Sequence, residues 1–297
     1  MSGNTFIIAD YAQIEARILS WLAGQDDLTQ DFAEGKDPYS KFATRLFNVP
    51  IRKPIDDDPE PVKAYLSVKR GFGKDAVLGC GFGMGASTFY DRCIANESLR
   101  PLFDSGAYDM LFISKLIKTY RGTYTKIPKF WNSIEKAFRW VIKHPKMGVY
   151  YRDGEIKAAT DWGDCFGMPE DAILGFYNDN GTVCIRLPSS RVLFYPHARI
   201  AGRKLAYHWS NKLWGGFLTE NVVQAIARDI MAESLLGVHN RVCPVVLHGH
   251  DELVCLSSKE LKVANVARIQ RIMEHVPHWC EGLPIAVEID TSGVYKK

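Results

Sequence analysis

Nowhere in its 297 residues does this chain carry an uninterrupted apolar run near the roughly 18 residues of a membrane span. Its N-terminus also lacks the basic segment and long apolar stretch of a signal peptide. A cytoplasmic protein with no membrane partner is the expectation. The cysteines contain no CxxC pair. Cys80, Cys93, Cys165, Cys184, Cys243, Cys255 and Cys280 are scattered and odd in number. Zinc sites need closer ligand spacing, so these read as reduced thiols, mostly packing. Internal repeats and low-complexity segments are missing too, and with them the signature of a repeat array.

What is present is ample core. The chain is 46% hydrophobic and 24% charged, enough for one large or two ordinary globular domains. A net charge of +3 says little, but its distribution says more. Between Leu111 and Tyr150 stand Lys115, Lys118, Arg121, Lys126, Lys129, Lys136, Arg139, Lys143 and Lys146, with Glu135 the only acid. Tyr120, Tyr124, Phe130, Trp131 and Trp140 are interleaved. That mixture suits a phosphate backbone and stacked bases. It equally suits a solvated helix face over core aromatics.

TFIIA reads as a buried strand leading into Asp10, and Ile14, Ile18, Trp21 and Leu22 then recur at helical spacing up to Gly24. Helical patterns follow through TQDFAEG and YSKFATRLFNV. The Pro/Asp-rich loop IRKPIDDDPEPVK comes next. A glycine-bearing helix over about 63–85 and mostly helical sequence to about His144 complete the middle. Residues 147–180 show no clear period. TVCIRLPSSRVLFYP and PVVLHGHDELVCLSS read as hairpins with buried arms. A long helix from Glu220 separates them. An amphipathic helix over 258–276 and the strand PIAVEID end the chain. The class is α+β, with strands at both ends and helices inserted between.

Three segments carry chemistry. In HGHDELV, His250, Asp251 and Glu252 fall at a tight turn between strands. Asp favours turns in any case, but a carboxylate beside a buried strand is costly unless paired or on a metal. Asp10 is a second strand-end carboxylate. Two such aspartates side by side suit two Mg²⁺ ions about 3.5–4 Å apart. The third segment is SVKRGFGKDAVLGCGFGMG. On a helix, Arg70, Lys74, Leu78 and Phe82 form one stripe, with cations placed for a triphosphate and apolar groups for sugar and base. Its glycines make no Walker A loop, since Asp75 follows Gly73-Lys74, and no GxGxxG, since Ala76 fills the third position. A packing helix with surface cations is the plainer reading of this segment.

In this order the three segments resemble the family A DNA polymerases. DYAQIEAR resembles motif A, Arg70 to Gly83 resembles motif B (RxxxKxxxFGxxYG), and HDELV matches motif C. ENVVQAIARD, with Gln224 and Asp229, resembles that family's QGTAAD helix in a phage-like form. The resemblance implies an antiparallel-sheet palm with a large, mostly helical fingers insertion: palm over 1–24 and 186–297, fingers over 25–185. It implies that Asp10 and Asp251 bind two Mg²⁺, for which Mn²⁺ could substitute, with the Tyr11 carbonyl assisting and Glu252 in a lesser part. Glu15 would exclude a 2′-hydroxyl. Arg70 and Lys74 would hold the triphosphate, with Gln13 and Tyr39 nearby, and Lys74 would protonate the leaving pyrophosphate. Leu78, Gly79 and Phe82 would shape the base-pair pocket. Gln224, Arg228 and His250, with Gly79, would meet primer–template DNA.

The sequence also departs from the family. Leu78 replaces an aromatic, Phe82 a tyrosine and Tyr39 a histidine, and Glu220 stands where Asn is usual. Phe82 lacks the hydroxyl that would bond near Glu15. The chain begins one strand before motif A, which fits either an excised fragment or a split gene; the favoured expectation is a split polymerase in a phage-host cytoplasm. A separate polypeptide would supply the thumb and the 3′–5′ exonuclease. Two rivals remain: a single-subunit RNA polymerase, against which Glu15 and QAIARD speak, and a non-catalytic DNA-binding subunit.

Overall fold

The computed structural model describes residues 3–158, 169, 172–208 and 210–295. Cys165 and part of the unassigned 147–180 stretch lie outside them. In chain order the elements begin with β1 (Asn4–Tyr11) and α1 (Ile14–Ala23). Helices α2 (Asp26–Ala33), α3 (Pro38–Phe47), α4 (Glu60–Cys80) and α5 (Ala86–Ala95) follow. Next are α6 (Arg100–Asp104), α7 (Met110–Thr123) and α8 (Lys126–Lys143). Then come β2 (Val149–Arg152), β3 (Glu155–Ala158), β4 (Leu174–Asp179), β5 (Thr182–Arg186) and β6 (Val192–Pro196). β7 (Arg199–Ala201), β8 (Lys204–Tyr207), β9 (Ser210–Leu213) and α9 (Gly215–Arg241) continue the chain. It closes with β10 (Val245–His248), β11 (Glu252–Ser258), α10 (Lys262–Met273) and β12 (Val287–Ser292).

Two compact units result. The first comprises Met1–Ile18, Arg186–Leu193 and Asn221–Lys297, the second Leu19–Ile185 and Phe194–Glu220. The expected palm ended at 24 and took in all of 186–297. The first unit instead ends at Ile18, inside α1, and leaves Phe194–Glu220 to the second. That segment carries β7–β9, a three-stranded sheet whose strands of three or four residues are too short to show a period in sequence.

The first unit is built on an antiparallel sheet of order β10-β11-β1-β12. β1 alternates strictly: Thr5, Ile7, Ala9 and Tyr11 are buried, and Phe6, Ile8 and Asp10 are partly open. Pleating sends successive side chains to opposite faces, so these two sets are the two sides of the sheet. α10 packs on β1, β11 and β12. Tyr11 reaches α9, where its hydroxyl meets Ser234 Oγ at 2.7 Å. The β10 arm is not buried as expected: Val246 and Leu247 are about half exposed. β10 lies at the edge of the sheet, where one flank of the strand has no neighbour.

The second unit is mostly helical. α8 buries Ile127, Phe130, Trp131, Ile134, Ala137, Phe138 and Val141 at spacings of three and four. Each large apolar side chain so covered contributes roughly 1.5–3 kcal/mol. Tyr120 and Tyr124 are buried as well. The aromatics of the basic segment are therefore core, while Lys115, Lys118, Arg121, Lys129, Lys136 and Lys143 stay exposed. Trp140 is the partial exception, stacking on His144 with ring centroids 4.4 Å apart. The unassigned stretch contains β2, β3 and β4, and the five-stranded sheet runs β3-β2-β4-β5-β6.

α4 is shorter than the expected 63–85 helix and ends at Cys80. Arg70, Lys74 and Leu78 keep their shared stripe: all three are open to solvent in part or whole, while Phe72, Ala76, Val77 and Cys80 are buried. Phe82 falls beyond the helix, in the turn that follows. Gly73 explains how tightly α4 meets α3. A Cβ there would lie 2.2 Å from the Tyr39 carbonyl oxygen, so only glycine permits this approach.

Candidate active site

In the first unit the β1–β11 register sets the site. Asp10 stands opposite Glu252, and on its other side opposite Glu288 of β12. Directly opposed residues share a sheet face, so Glu252, Asp10 and Glu288 form a carboxylate row across three strands. Asp290 follows on the same face, opposite Ile8. Glu288 and Asp290 went unremarked in the sequence, although their period-2 spacing in VEID was a signal that they share a face.

Asp251 sits just before β11, in a turn closed by the Gly249 N–H donating to the Glu252 carbonyl at 2.8 Å. Its own carbonyl accepts the Tyr11 N–H at 2.9 Å. Asp10 and Asp251 are thereby brought to the same end of the same strand pair. Asp10 Oδ1 is shielded from solvent. Glu252 Oε1 accepts the Tyr295 hydroxyl at 2.8 Å, and this bond raises the Tyr295 pKa. The oxygen that Glu252 could offer a metal is thus partly engaged. Burial, the largest influence, pushes the Tyr11 phenol up, so it stays protonated.

The donor set suits a hard divalent cation. Asp10, Asp251 and a neighbouring backbone carbonyl offer oxygen only. Among the described residues no three His, Cys, Asp or Glu side chains converge on one metal position. Mg²⁺ is commonly held this way, by one or two carboxylates, with substrate phosphates and water completing the shell.

Between Asp10 and α1 the chain turns sharply. Gln13 adopts φ 51°, and α1 begins at Ile14 with Glu15 in its first turn, where the helix dipole favours an acid. Buried Arg17 clamps this turn. Its Nε donates to the Ala12 carbonyl at 2.7 Å, Nη1 to the Pro284 carbonyl at 3.0 Å, and Nη2 to Gln13 Oε1 at 3.4 Å. His250 Nε2 lies 3.8 Å from Glu15 Oε1, beyond hydrogen-bond reach. On α9, Gln224 and Arg228 are exposed one turn apart. Asp229 has a structural task instead. It accepts Ser189 Oγ at 2.5 Å and Arg191 Nε at 2.6 Å, tying the β5–β6 turn to the helix.

In the second unit, Lys74 is exposed, and Gly79 is buried with Met84 against it. Tyr39, expected near the triphosphate, is itself buried, with the Arg70 guanidinium 5.3 Å above its ring. Arg70 is held by Asp37, to which Nε donates at 2.6 Å and Nη2 at 3.2 Å. Sequence reasoning missed Asp37. Before Pro38 it reads as an ordinary helix cap.

The fold is that of a right-hand polymerase domain. It matches the polymerase domain of Pol1 from M. smegmatis, solved in complex with a DNA primer–template and dNTP, at a TM-score of 0.59 and 15% identity. The match covers 97% of this chain and 39% of that one. The model of DNA polymerase family A matches residues 1–140, and the chain is similar to phage and bacterial DNA polymerases of which it spans less than half the length. It is 28% identical over 309 aligned positions to the DNA polymerase of Bacillus phage SP02, spanning 99% of this chain and 42% of that protein. It is 43% identical over 95 residues to DNA polymerase I of Mycobacterium bovis, covering 32% of this chain and 10% of that one. The thermostable DNA polymerase I of Thermus aquaticus is 23% identical over 291 residues, 26% of its length.

Proposed function

We propose that the chain carries out template-directed DNA synthesis, joining a deoxynucleotide to a primer 3′-hydroxyl. The observation that supports this best is the meeting of Asp10 and Asp251 at one end of β1–β11, through the Tyr11 N–H to Asp251 carbonyl bond. In the reaction the primer 3′-oxygen bonds to the α-phosphorus, the bond from that phosphorus to the β-phosphate oxygen breaks, and pyrophosphate leaves. Mg²⁺ ions, when bound, lower the pKa of the attacking hydroxyl and neutralise charge on the leaving group; Mn²⁺ is the natural substitute.

The residues divide the rest of the work. Asp10 and Asp251 hold the cations, with the Tyr11 carbonyl, while Glu252 stands beside them. Arg70 and Lys74 take the triphosphate, and Lys74 passes a proton to pyrophosphate. Such a reaction depends mainly on positioning and charge neutralisation. Glu15 blocks a 2′-hydroxyl, and Gln13 lies by the incoming nucleotide. Leu78, Gly79 and Phe82 border the base. Gln224, Arg228 and His250 contact DNA near the primer end.

The decisive experiment is Mg²⁺-dependent primer extension by this chain, alone and with candidate partner polypeptides that supply a thumb or proofreading. Extension lost in Asp251→Ala is the expected result. Extension that survives it refutes the mechanism. Ribonucleotides used as fast as deoxynucleotides would overturn the DNA assignment in favour of RNA synthesis.

A further inference from the structure

The Asp37–Arg70 pair has a geometry beyond that of a surface ion pair. Asp37 is the N-cap of α3. Its Oδ1 accepts the Tyr39 N–H at 3.2 Å, and its Oδ2 accepts the Ser40 hydroxyl at 2.6 Å. Those bonds fix the carboxylate against the helix start. Arg70 then meets it with two N–H groups, from Nε and Nη2. The Tyr39 ring lies on one face of the guanidinium. The approach of α3 to α4 that makes this reachable is the one Gly73 permits. Burial raises the Asp37 pKa, but the Arg70 and Ser40 hydrogen bonds and the Arg70 charge outweigh it and hold the carboxyl below its usual range. The Asp37 carboxylate is therefore ionised at neutral pH.

A guanidinium has five N–H donors in a rigid fork. Asp37 takes one edge of it. The edge carrying Nη1 makes no hydrogen bond among the described residues, and Arg70 stays partly open to solvent. An arginine free on α4 would sample many rotamers and would have to lose them on meeting a phosphate. Here that ordering is already in place.

We propose that Asp37 is a positioning residue for Arg70, presenting the free edge of its guanidinium to the triphosphate of an incoming nucleotide. This rests on the reading of Arg70 as a nucleotide-binding residue. The opposite possibility is physical too: a carboxylate could instead shield Arg70 and repel phosphate, so that its removal tightens binding. The charge-assisted fork and the fixed cap favour positioning, because the carboxylate occupies one edge and leaves the other.

The test measures dNTP binding and steady-state kinetics for Asp37→Asn, Asp37→Ser, Arg70→Ala and the double variant Asp37→Asn/Arg70→Ala. Asn and Ser both cap helices well, so α3 keeps its cap while the charged fork is lost. Ordering a long side chain costs about 0.5–1.5 kcal/mol on binding, so KM and Kd for dNTP should rise roughly 2- to 12-fold with kcat nearly unchanged. In the Arg70→Ala background Asp37→Asn should add nothing. A Kd that is unchanged or falls in both single Asp37 variants overturns the proposal, as does an Asp37→Asn effect that persists without Arg70. If Arg70→Ala itself leaves dNTP binding intact, the reading of Arg70 has failed first, and the Asp37 role falls with it. Equilibrium binding is read without turnover, so a variant inactive for other reasons still reports.

Discussion

The Tyr11 N–H donates to the Asp251 carbonyl at 2.9 Å, so the residue after one strand-end aspartate is bonded to the backbone of the other. The two carboxylates are set by a strand register, not by side-chain packing. Replacing either side chain should leave the sheet intact.

Asp10→Ala and Asp251→Ala should each cut primer extension by at least about 10²–10³-fold, the scale seen when one key electrostatic group is removed. Folding stability should hold or rise, because Asp10 stands in a row with Glu252 and Glu288 and its loss relieves like-charge repulsion. Extension assays paired with thermal unfolding check both halves.

Gly73→Ala sets two effects against each other. Alanine favours a helix by about 1 kcal/mol over glycine. The new Cβ would stand 2.2 Å from the Tyr39 carbonyl oxygen, a backbone atom with no rotamer to move to. Overpacking costs about 1–3 kcal/mol, so net destabilisation is expected. A higher denaturation midpoint would show that α3 yields easily.

Asp229→Ala should destabilise the first unit by about 1–3 kcal/mol, since it leaves Ser189 and Arg191 without their shared acceptor. Urea unfolding measures it. Asp229→Asn, which keeps an acceptor oxygen, should recover part of the loss.

Acid should weaken the contribution of Asp37. Its folded pKa lies below the unfolded value of about 3.9. The stability it supplies is complete above that unfolded value and is lost as pH falls through the folded one. Wild type and Asp37→Asn should therefore differ at pH 7 and converge in denaturant titrations once the pH falls below the depressed folded pKa.

Cys80, Cys93 and Cys280 should resist alkylation at pH 8 in the native state, because burial pushes each thiol to about 12. Peptide mapping after iodoacetamide should find all three unmodified, and all three labelled after unfolding.

Much of this was legible in the sequence where a local period carried it. The strand before Asp10, the Arg70-Lys74-Leu78 stripe and the HGHDELV turn were readable, because alternation and helical spacing are short-range patterns. Phe82 was placed one turn too far along the helix, since nothing in GCGFGMG marks Cys80 as its last residue. β2 to β4 were missed because four- to six-residue strands among glycines show no reliable period. The β10 arm is apolar in sequence yet exposed, a consequence of its edge position that composition does not reveal. Asp37 was invisible for another reason. Its partner is 33 residues away, and only the packing of α3 on α4 brings them together.

Arg17 has a wider consequence. One buried guanidinium holds the carbonyl before Gln13, the Gln13 side chain and the segment at Pro284. The six residues from Asp10 to Glu15 therefore move as a single rigid piece, anchored at a third point far along the chain. On the proposed roles, cation placement and sugar choice share one mechanical mount. A fault in it would not trade speed for selectivity but would erode both together.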